Sequence, residues 1–551
     1  MKAVAVATST KIKIVFLIFW VFKIKIKKPG TYERRSPGTS EERIERIEIS
    51  SDKIGKESLQ SKVKKNRNAS VSLGNIPYFF VNPTVWNIFN ANSETLFVHF
   101  IAIGGSVMHQ LAIALKKKGY TVTGSDDEIF EPSRTNLANE GILPPVMGWL
   151  PEKITPGLDA IILGMHAKDD NPEIKRAREL GITIYSFPEY IYQESKNKTR
   201  VVVGGSHGKT TTTSMIMHAL RKVGKQFDYM VGARLEGFSQ SVDITDAPVI
   251  ICEGDEYPAS VIEKRPKFHF LFPHIAILTG IAWDHINVFP TFDFYLEQFK
   301  IFIDKIEPGG LLIYNETDPV LKKLVLENAT GNIRKKPYGV PVHSIENGST
   351  HVTLAGVKGK LEVFGDHNLL NMHAAFLVCQ ELGVDAVAFV AAMADFTGAS
   401  KRLELLAKNS ETNIYRDFAH APSKVKATID AVKQQFPGRK LVAVLELHTY
   451  SSLNKEFMGE YRDSMKQADQ AVVFYSNHAL ELKRMPPLPK EKVTEGFGRE
   501  DLVVINEKNE LSAWLAQQSY KNANLLLMSS GNYDGIDMIT FAKSIVHENQ
   551  K

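Results

Sequence analysis

Two cysteines in 551 residues, Cys252 and Cys379, are too few for a disulfide scaffold or for a zinc site built on cysteine pairs. Both sit in apolar runs, the setting expected of buried, reduced thiols in a cytoplasmic protein. A long hydrophobic run is also lacking. Ile14–Phe22 holds nine apolar residues between Lys11, Lys13, Lys23 and Lys25, where a helix crossing a bilayer needs about 20. No small-residue cleavage site follows it, so neither stable membrane insertion nor a cleaved signal is expected. Excess positive charge is missing from the body of the chain. Residues 1–93 carry 17 lysines and arginines against 7 carboxylates, and the rest is acidic by five, although the net charge is +5. No nucleic-acid partner is therefore expected. No repeat of 20–50 residues is seen.

What is present fits a soluble enzyme of several domains. Hydrophobic residues make up 43% and charged residues 23% of the chain, which excludes a largely disordered polymer. Residues 1–93 are basic, and 31–93 are rich in Lys, Arg, Glu, Ser and Asn with little apolar periodicity. They read as a disordered extension or as sequence upstream of the true start, with a membrane-surface tether as the second reading. From about Leu96 short apolar runs alternate with amphipathic stretches, the pattern of an α/β protein with parallel sheets. Strands are expected at 97–103, 121–124, 160–163 and 183–185, then at 200–203, 249–252 and 275–279. A third set is expected at 414–415, 441–445, 471–475 and 525–528. Helices are expected at 108–118, 210–223, 292–306, 423–435 and 453–467. In 292–306, Phe292, Tyr295, Leu296, Phe299, Phe302, Ile303 and Ile306 recur at helical spacing and read as a core stripe. The implied domains are 94–198, 199–395 and 396–551.

The chemistry concentrates after the strand at 200–203. Arg200–Thr213 reads RVVVGGSHGKTTTT: a strand, a glycine turn through Gly205, Ser206, His207 and Gly208, then a helix opening at Lys209, Thr210 and Thr211. Such a turn aims backbone N–H groups and a helix N-terminus at an anion. The Lys209 ammonium can reach the β- and γ-phosphates of a nucleoside triphosphate, and the Thr210 hydroxyl can ligate Mg²⁺. The strict G-x-x-x-x-G-K-[ST] spacing is not met, since its first glycine would fall on Val203. The next strand ends supply metal candidates, Glu253 after 249–252, and Asp284 or His285 after 275–279; spacing does not separate the last two. Asp255 and Glu256 read equally well as structural pairs. In the first unit, Gly104 and Gly105 follow a strand, and Ser125 and Asp126 close the next one. This resembles a nucleotide-diphosphate site but is not the G-x-G-x-x-G dinucleotide fingerprint, so a redox role has little support.

Six stretches, GGSHGKTTTT, EGDEY, WDHINVF, FGDHNLLNMHAA, SKRLE and YRDFAHAP, occur in the order found in the Mur ligases, and the resemblance spans about residues 96–540. It implies three domains: a Rossmann-like N-terminal domain binding a UDP-sugar, a central P-loop ATPase domain, and a Rossmann-like C-terminal domain. It also implies ATP and Mg²⁺ as cofactors. By position, Lys209 and Thr210 match the phosphate loop, and Glu253 and His285 the metal site. Asn368 and Asn371 match the nucleotide edge, Arg402 the arginine that reaches the phosphates, and Asp417 and His420 the C-terminal residues that meet the nucleotide. Gly124–Ser133, Asp255–Phe270 and Ser529–Ile536 are most similar to the branch of the family that reuses cell-wall peptide. That branch joins L-Ala-γ-D-Glu-meso-diaminopimelate to UDP-N-acetylmuramate through an acyl phosphate. The alternative within the family is addition of L-alanine to the same acid; from another class, a non-catalytic nucleotide-binding regulator. Ala421 stands where the family has a second histidine, and Glu446–Ser451 matches neither branch.

Overall fold

The computed structural model describes residues 95–548 apart from 233, 234, 236, 284–287, 400 and 401. The expected extension at 1–93, with Ile14–Phe22 in it, lies outside the described residues, as do both Asp284 and His285. Among the described residues no helix is long and apolar enough to cross a membrane.

Four sheets follow one another along the chain. The first holds β1 (Phe97–Ile101), β2 (Thr121–Ser125), β3 (Ala160–Leu163) and β4 (Ile184–Ser186), all parallel, in the order 2-1-3-4. The second holds β5 (Thr199–Gly204), β6 (Asp228–Met230), β7 (Val242–Asp243), β8 (Val249–Glu253), β9 (Ile275–Leu278), β10 (Leu311–Asn315) and β11 (Arg334–Tyr338). Its order is 11-10-9-5-8-6-7, with only β7 antiparallel. A small antiparallel sheet of β12 (Val342–Glu346), β13 (Ser349–Leu354) and β14 (Val357–Leu361) comes next. The last sheet holds β15 (Glu404–Lys408), β16 (Thr412–Asp417), β17 (Lys440–Glu446), β18 (Gln470–Phe474), β19 (Val503–Ile505) and β20 (Ala523–Met528), in the order 15-16-20-17-18-19.

The central parallel strands, such as β5 and β17, are apolar on both faces, as expected where helices cover both sides of a sheet. In β5, Val202 packs into one core while Val201 and Val203 pack into another. In β17, Leu441, Ala443 and Leu445 face one side and Val442 and Val444 the other. This alternation is the strand period of two. In the second sheet the order reverses at β5, with β8 on one side and β9 on the other, so the ligand crevice of this sheet opens at the carboxyl end of β5. Cys252 and Cys379 are buried in these cores, and burial raises both thiols.

Two expectations need correction. The strand expected to reach Ile103 ends at Ile101, because Ala102 adopts φ +65° and both Ala102 N–H and Ile103 N–H donate to Ser125 O. The helix expected at 453–467 is a chain of tight turns around a 3-10 turn, Met458–Tyr461. Its N–H groups bond three residues back, Phe457 to Asn454 O, Glu460 to Phe457 O and Ser464 to Tyr461 O. Asp463 sits at φ +61°, which no α-helix accommodates. Leu453, Met458, Tyr461 and Met465 are still buried, so the apolar spacing reported burial rather than helix.

Candidate functional site

Strand β5 delivers the chain into the crevice, and the turn after it is built for close approach. Gly205 adopts φ +126° and Gly208 φ +82°. A side chain at Gly205 would fall on Thr279 Oγ1, and one at Gly208 on Asn371 Oδ1. Thr279, at the end of β9, holds the turn from below by donating to Gly204 O (3.2 Å) and to His207 O. The helix Lys209–Lys222 starts at Gly208 without a side-chain cap, so its first N–H groups are left for an anion.

Around this turn the structure gathers most of the predicted residues. Lys209 Nζ donates to Gly205 O at 2.7 Å and to Glu256 Oε2 at 2.6 Å. Burial alone would lower the Lys209 ammonium. The carboxylates of Glu256, Asp255 and Glu253 outweigh it and raise the group above its ordinary value. Thr210 Oγ1 donates to Glu253 Oε1 at 2.7 Å, and Gly232 N–H donates to Glu253 Oε2 at 2.9 Å. Ser206 Oγ accepts from Ala282 N–H at 2.9 Å and meets Tyr295 Oη at 2.8 Å. His207 Nε2 reaches Ser423 Oγ at 2.7 Å, linking the turn to the start of the helix Pro422–Gln435. Thr211 is buried in the first helical turn, and Thr212 Oγ1 donates to Asn371 Oδ1 at 3.3 Å.

Other predicted residues stand differently. Asn368 is one turn before Asn371 on the helix Asp366–Glu381, but its side chain donates to Phe364 O at 2.9 Å. The Arg402 guanidinium stacks over Phe418 at 4.4 Å; burial lowers its pKa, while Asp417 and Glu253 favour its charged form. Asp417 is turned inward. It accepts Leu403 N–H at 2.5 Å and Ala419 N–H at 2.6 Å, and burial raises its pKa against Arg402 and these donors. His420 Nδ1 bonds Phe418 O at 2.8 Å. After β8, Lys267 pairs with Asp255 at 2.7 Å and Arg265 with Glu263 at 2.7 Å.

A second group lies at the carboxyl ends of β1 and β2. Gly104 N–H donates to Asp126 Oδ2 at 2.6 Å, and a side chain at Gly104 would come within 2.9 Å of the same oxygen. Burial pushes the Asp126 carboxyl up to about 6. Ser125 Oγ meets His99 Nε2 at 3.3 Å, and Gly105 O bonds His109 Nδ1 at 2.9 Å.

Glu253 and Thr210 offer hard oxygen donors beside an uncapped helix start, a fit for Mg²⁺ completed by nucleotide phosphates and water. Among the described residues no three carboxylate, imidazole or thiolate side chains converge on one point. Mg²⁺ does not need such a cage when phosphates supply ligands. The sequence reading missed Tyr295, taken for a core residue, because its hydroxyl leaves no mark on apolar spacing. It also missed Thr279 and Ser423, which are distant in the chain and have no motif of their own.

The chain matches three family descriptions in succession: "Mur ligase family, catalytic domain" over residues 97–199, "Mur ligase middle domain" over 203–379, and "Mur ligase, glutamate ligase domain" over 401–531. It is 31% identical over 389 residues to the UDP-N-acetylmuramate–L-alanine ligase of Caldicellulosiruptor bescii, covering 68% of this chain and 82% of that one. With the enzyme of the same name from Aquifex aeolicus it is 28% identical over 464 residues, 78% of this chain and 98% of that one. Two solved structures share the fold. UDP-N-acetylmuramate–alanine ligase from Thermotoga maritima has a TM-score of 0.57 at 22% identity, over 83% of this chain and 99% of that one. A murein peptide ligase from Psychrobacter arcticus has a TM-score of 0.54 at 21% identity, over 82% and 98%.

Proposed function

This chain belongs to the Mur ligase family, ATP- and Mg²⁺-dependent enzymes that form C–N bonds in peptidoglycan synthesis, and from that premise we propose that it joins L-alanine to the muramate carboxylate of UDP-N-acetylmuramate in the cytoplasm. The observation that carries the choice of acceptor is the pair of L-alanine ligases above, one of them matched over 98% of its length.

The chemistry proposed is the one the family resemblance implies, and the site residues are suited to it. A muramate carboxylate oxygen attacks the γ-phosphorus of ATP, the bond to the β,γ-bridging oxygen breaks, and ADP leaves an acyl phosphate. The amine then attacks the acyl carbon and gives up a proton, and the carbon–oxygen bond to phosphate breaks. Phosphoryl transfer asks the protein for position and charge rather than covalent help. The uncapped helix start and Lys209 would bind the phosphates, and Arg402, whose charged form Asp417 and Glu253 favour, would add charge there. Glu253 and Thr210, with His285 by family position, would hold Mg²⁺, which supplies charge neutralisation at the phosphates. Asn371 braces the loop through Thr212. Gly104, Gly105, Ser125 and Asp126 are proposed to receive the UDP-sugar.

A second reading has its own support. Gly124–Ser133, Asp255–Phe270 and Ser529–Ile536 are most similar to the peptide-reusing branch, whose acceptor is L-Ala-γ-D-Glu-meso-diaminopimelate. Phosphate release from ATP with UDP-N-acetylmuramate and either acceptor separates the two. Release with L-alanine and not with the tripeptide is expected; release with the tripeptide alone would replace the first reading by the second.

A further inference from the structure

Lys209 does not reach into the crevice unaided. An ammonium has three donors, and two are committed, one to Gly205 O at 2.7 Å and one to Glu256 Oε2 at 2.6 Å. The third is left for a phosphate. Glu256 is fully buried, and its other oxygen accepts from Tyr295 Oη at 3.4 Å. A carboxylate only accepts, so across this contact Tyr295 Oη is the donor, and Ser206 Oγ meets Tyr295 Oη at 2.8 Å, where either hydroxyl can donate. Ser206 Oγ also accepts Ala282 N–H at 2.9 Å. Ala282, Ser206, Tyr295 and Glu256 thus form one chain of hydrogen-bond contacts, and Lys209 closes it on the phosphate loop.

We propose that Glu256 is a positioning residue for the phosphate-loop lysine, and that Tyr295 holds Glu256 in the rotamer that does this. The inference rests on the reading of this loop as the ATP site and not on the identity of the acceptor. The carboxylate fixes where the ammonium lies before nucleotide arrives, so little of it has to be ordered in the transition state. Glu256 is also an anion beside incoming phosphates, so it does nothing to favour ATP in the ground state. Loss of its charge is therefore expected to separate the two kinetic constants.

The test is steady-state kinetics of Glu256→Gln and Tyr295→Phe in the full chain. Phosphate release is measured with UDP-N-acetylmuramate and whichever acceptor the wild type uses, alongside ATP binding followed by calorimetry and a melting curve for each variant. Glu256→Gln is expected to lower kcat by about tenfold or more, with KM for ATP unchanged or lower. Tyr295→Phe is expected to move kcat in the same direction by less, at unchanged ATP affinity. Wild-type kcat in both variants overturns the proposal, and so does a raised KM at unchanged kcat. If Glu256→Gln does not fold, Tyr295→Phe decides alone. A wild-type chain that does not bind ATP would instead overturn the reading of the loop.

Discussion

At the scale of single residues, the site is a set of charges held by short, named contacts, and each makes a separate prediction. Lys209 is the positive group nearest the uncapped helix start. Lys209→Ala is expected to abolish ATP-dependent phosphate release while UDP-N-acetylmuramate binding, measured by calorimetry, persists. Normal turnover would contradict the assignment. Asp126 makes a prediction in pH. Burial places its folded-state value near 6, against the ordinary carboxylate value of about 4 in the unfolded chain. Between the two, the folded chain keeps a proton that the unfolded chain has released. The stability this group contributes is thus complete below about pH 4 and is lost as the pH rises through 6. Asp126→Asn is expected to flatten that part of the profile, read as denaturation midpoints between pH 4 and 6.5. A variant that loses stability over the same range as steeply as the wild type would contradict it.

At the scale of elements, much was legible in the sequence where a local pattern carries its own cause. The run VVV before GGSHGK, and IIC before EGDE, announce buried strands that hand polar residues to the crevice, and β5 and β8 stand there. The strands β6, β7, β10, β11, β12, β13, β14, β15 and β19 were not anticipated. The short β6 (Asp228–Met230) and the edge β7 (Val242–Asp243) offer too few residues for a period to register. Around the candidate site, Lys209 and Thr210 were readable because a phosphate loop is contiguous, and Glu253 because it ends an apolar strand. Glu256 reads in sequence either as a ligand or as a structural pair, and Tyr295 reads as core because a tyrosine in an apolar stripe shows only its spacing. The 453–467 segment failed for a contact reason. Gly496, in the helix Lys490–Phe497, lies so close that a Cβ there would meet Met458 Cβ at 2.5 Å and Met458 O at 2.7 Å. Helix propensity alone would make Gly496→Ala stabilising by about 1 kcal/mol, but overpacking costs about 1–3 kcal/mol. A lower Tm is expected, and a higher one would contradict this packing.

At the scale of the whole described unit, the candidate site draws on more than one sheet, and contacts between them are specific. Arg200, on β5, is buried and donates to Ser195 O (3.0 Å) and Lys196 O (3.2 Å) at the end of the helix Phe187–Ser195. It also donates to Leu271 O (3.0 Å), Phe272 O (2.8 Å) and Glu307 (2.6 Å) on the second sheet's side. Towards the last sheet, His207 meets Ser423, Thr350 Oγ1 bonds Gln435 Oε1 at 3.0 Å, and Phe364 packs edge-on against Tyr415 and Phe436 at 5.6 and 5.8 Å. From the same region, Arg402 is close enough for the charges of Asp417 and Glu253 to favour its charged form. A reaction that needs groups from separate sheets at one phosphate is controlled by how those sheets close, and closure also excludes water from an acyl phosphate.

That intermediate is the centre of the account, and isotope transfer tests it most directly. UDP-N-acetylmuramate labelled with ¹⁸O in its muramate carboxylate is turned over with ATP and acceptor, and the released phosphate is analysed by mass. The account predicts that each phosphate carries one oxygen from the carboxylate, because that oxygen bonds to phosphorus in the first step and leaves with it in the second. Unlabelled phosphate alongside amide product would contradict it.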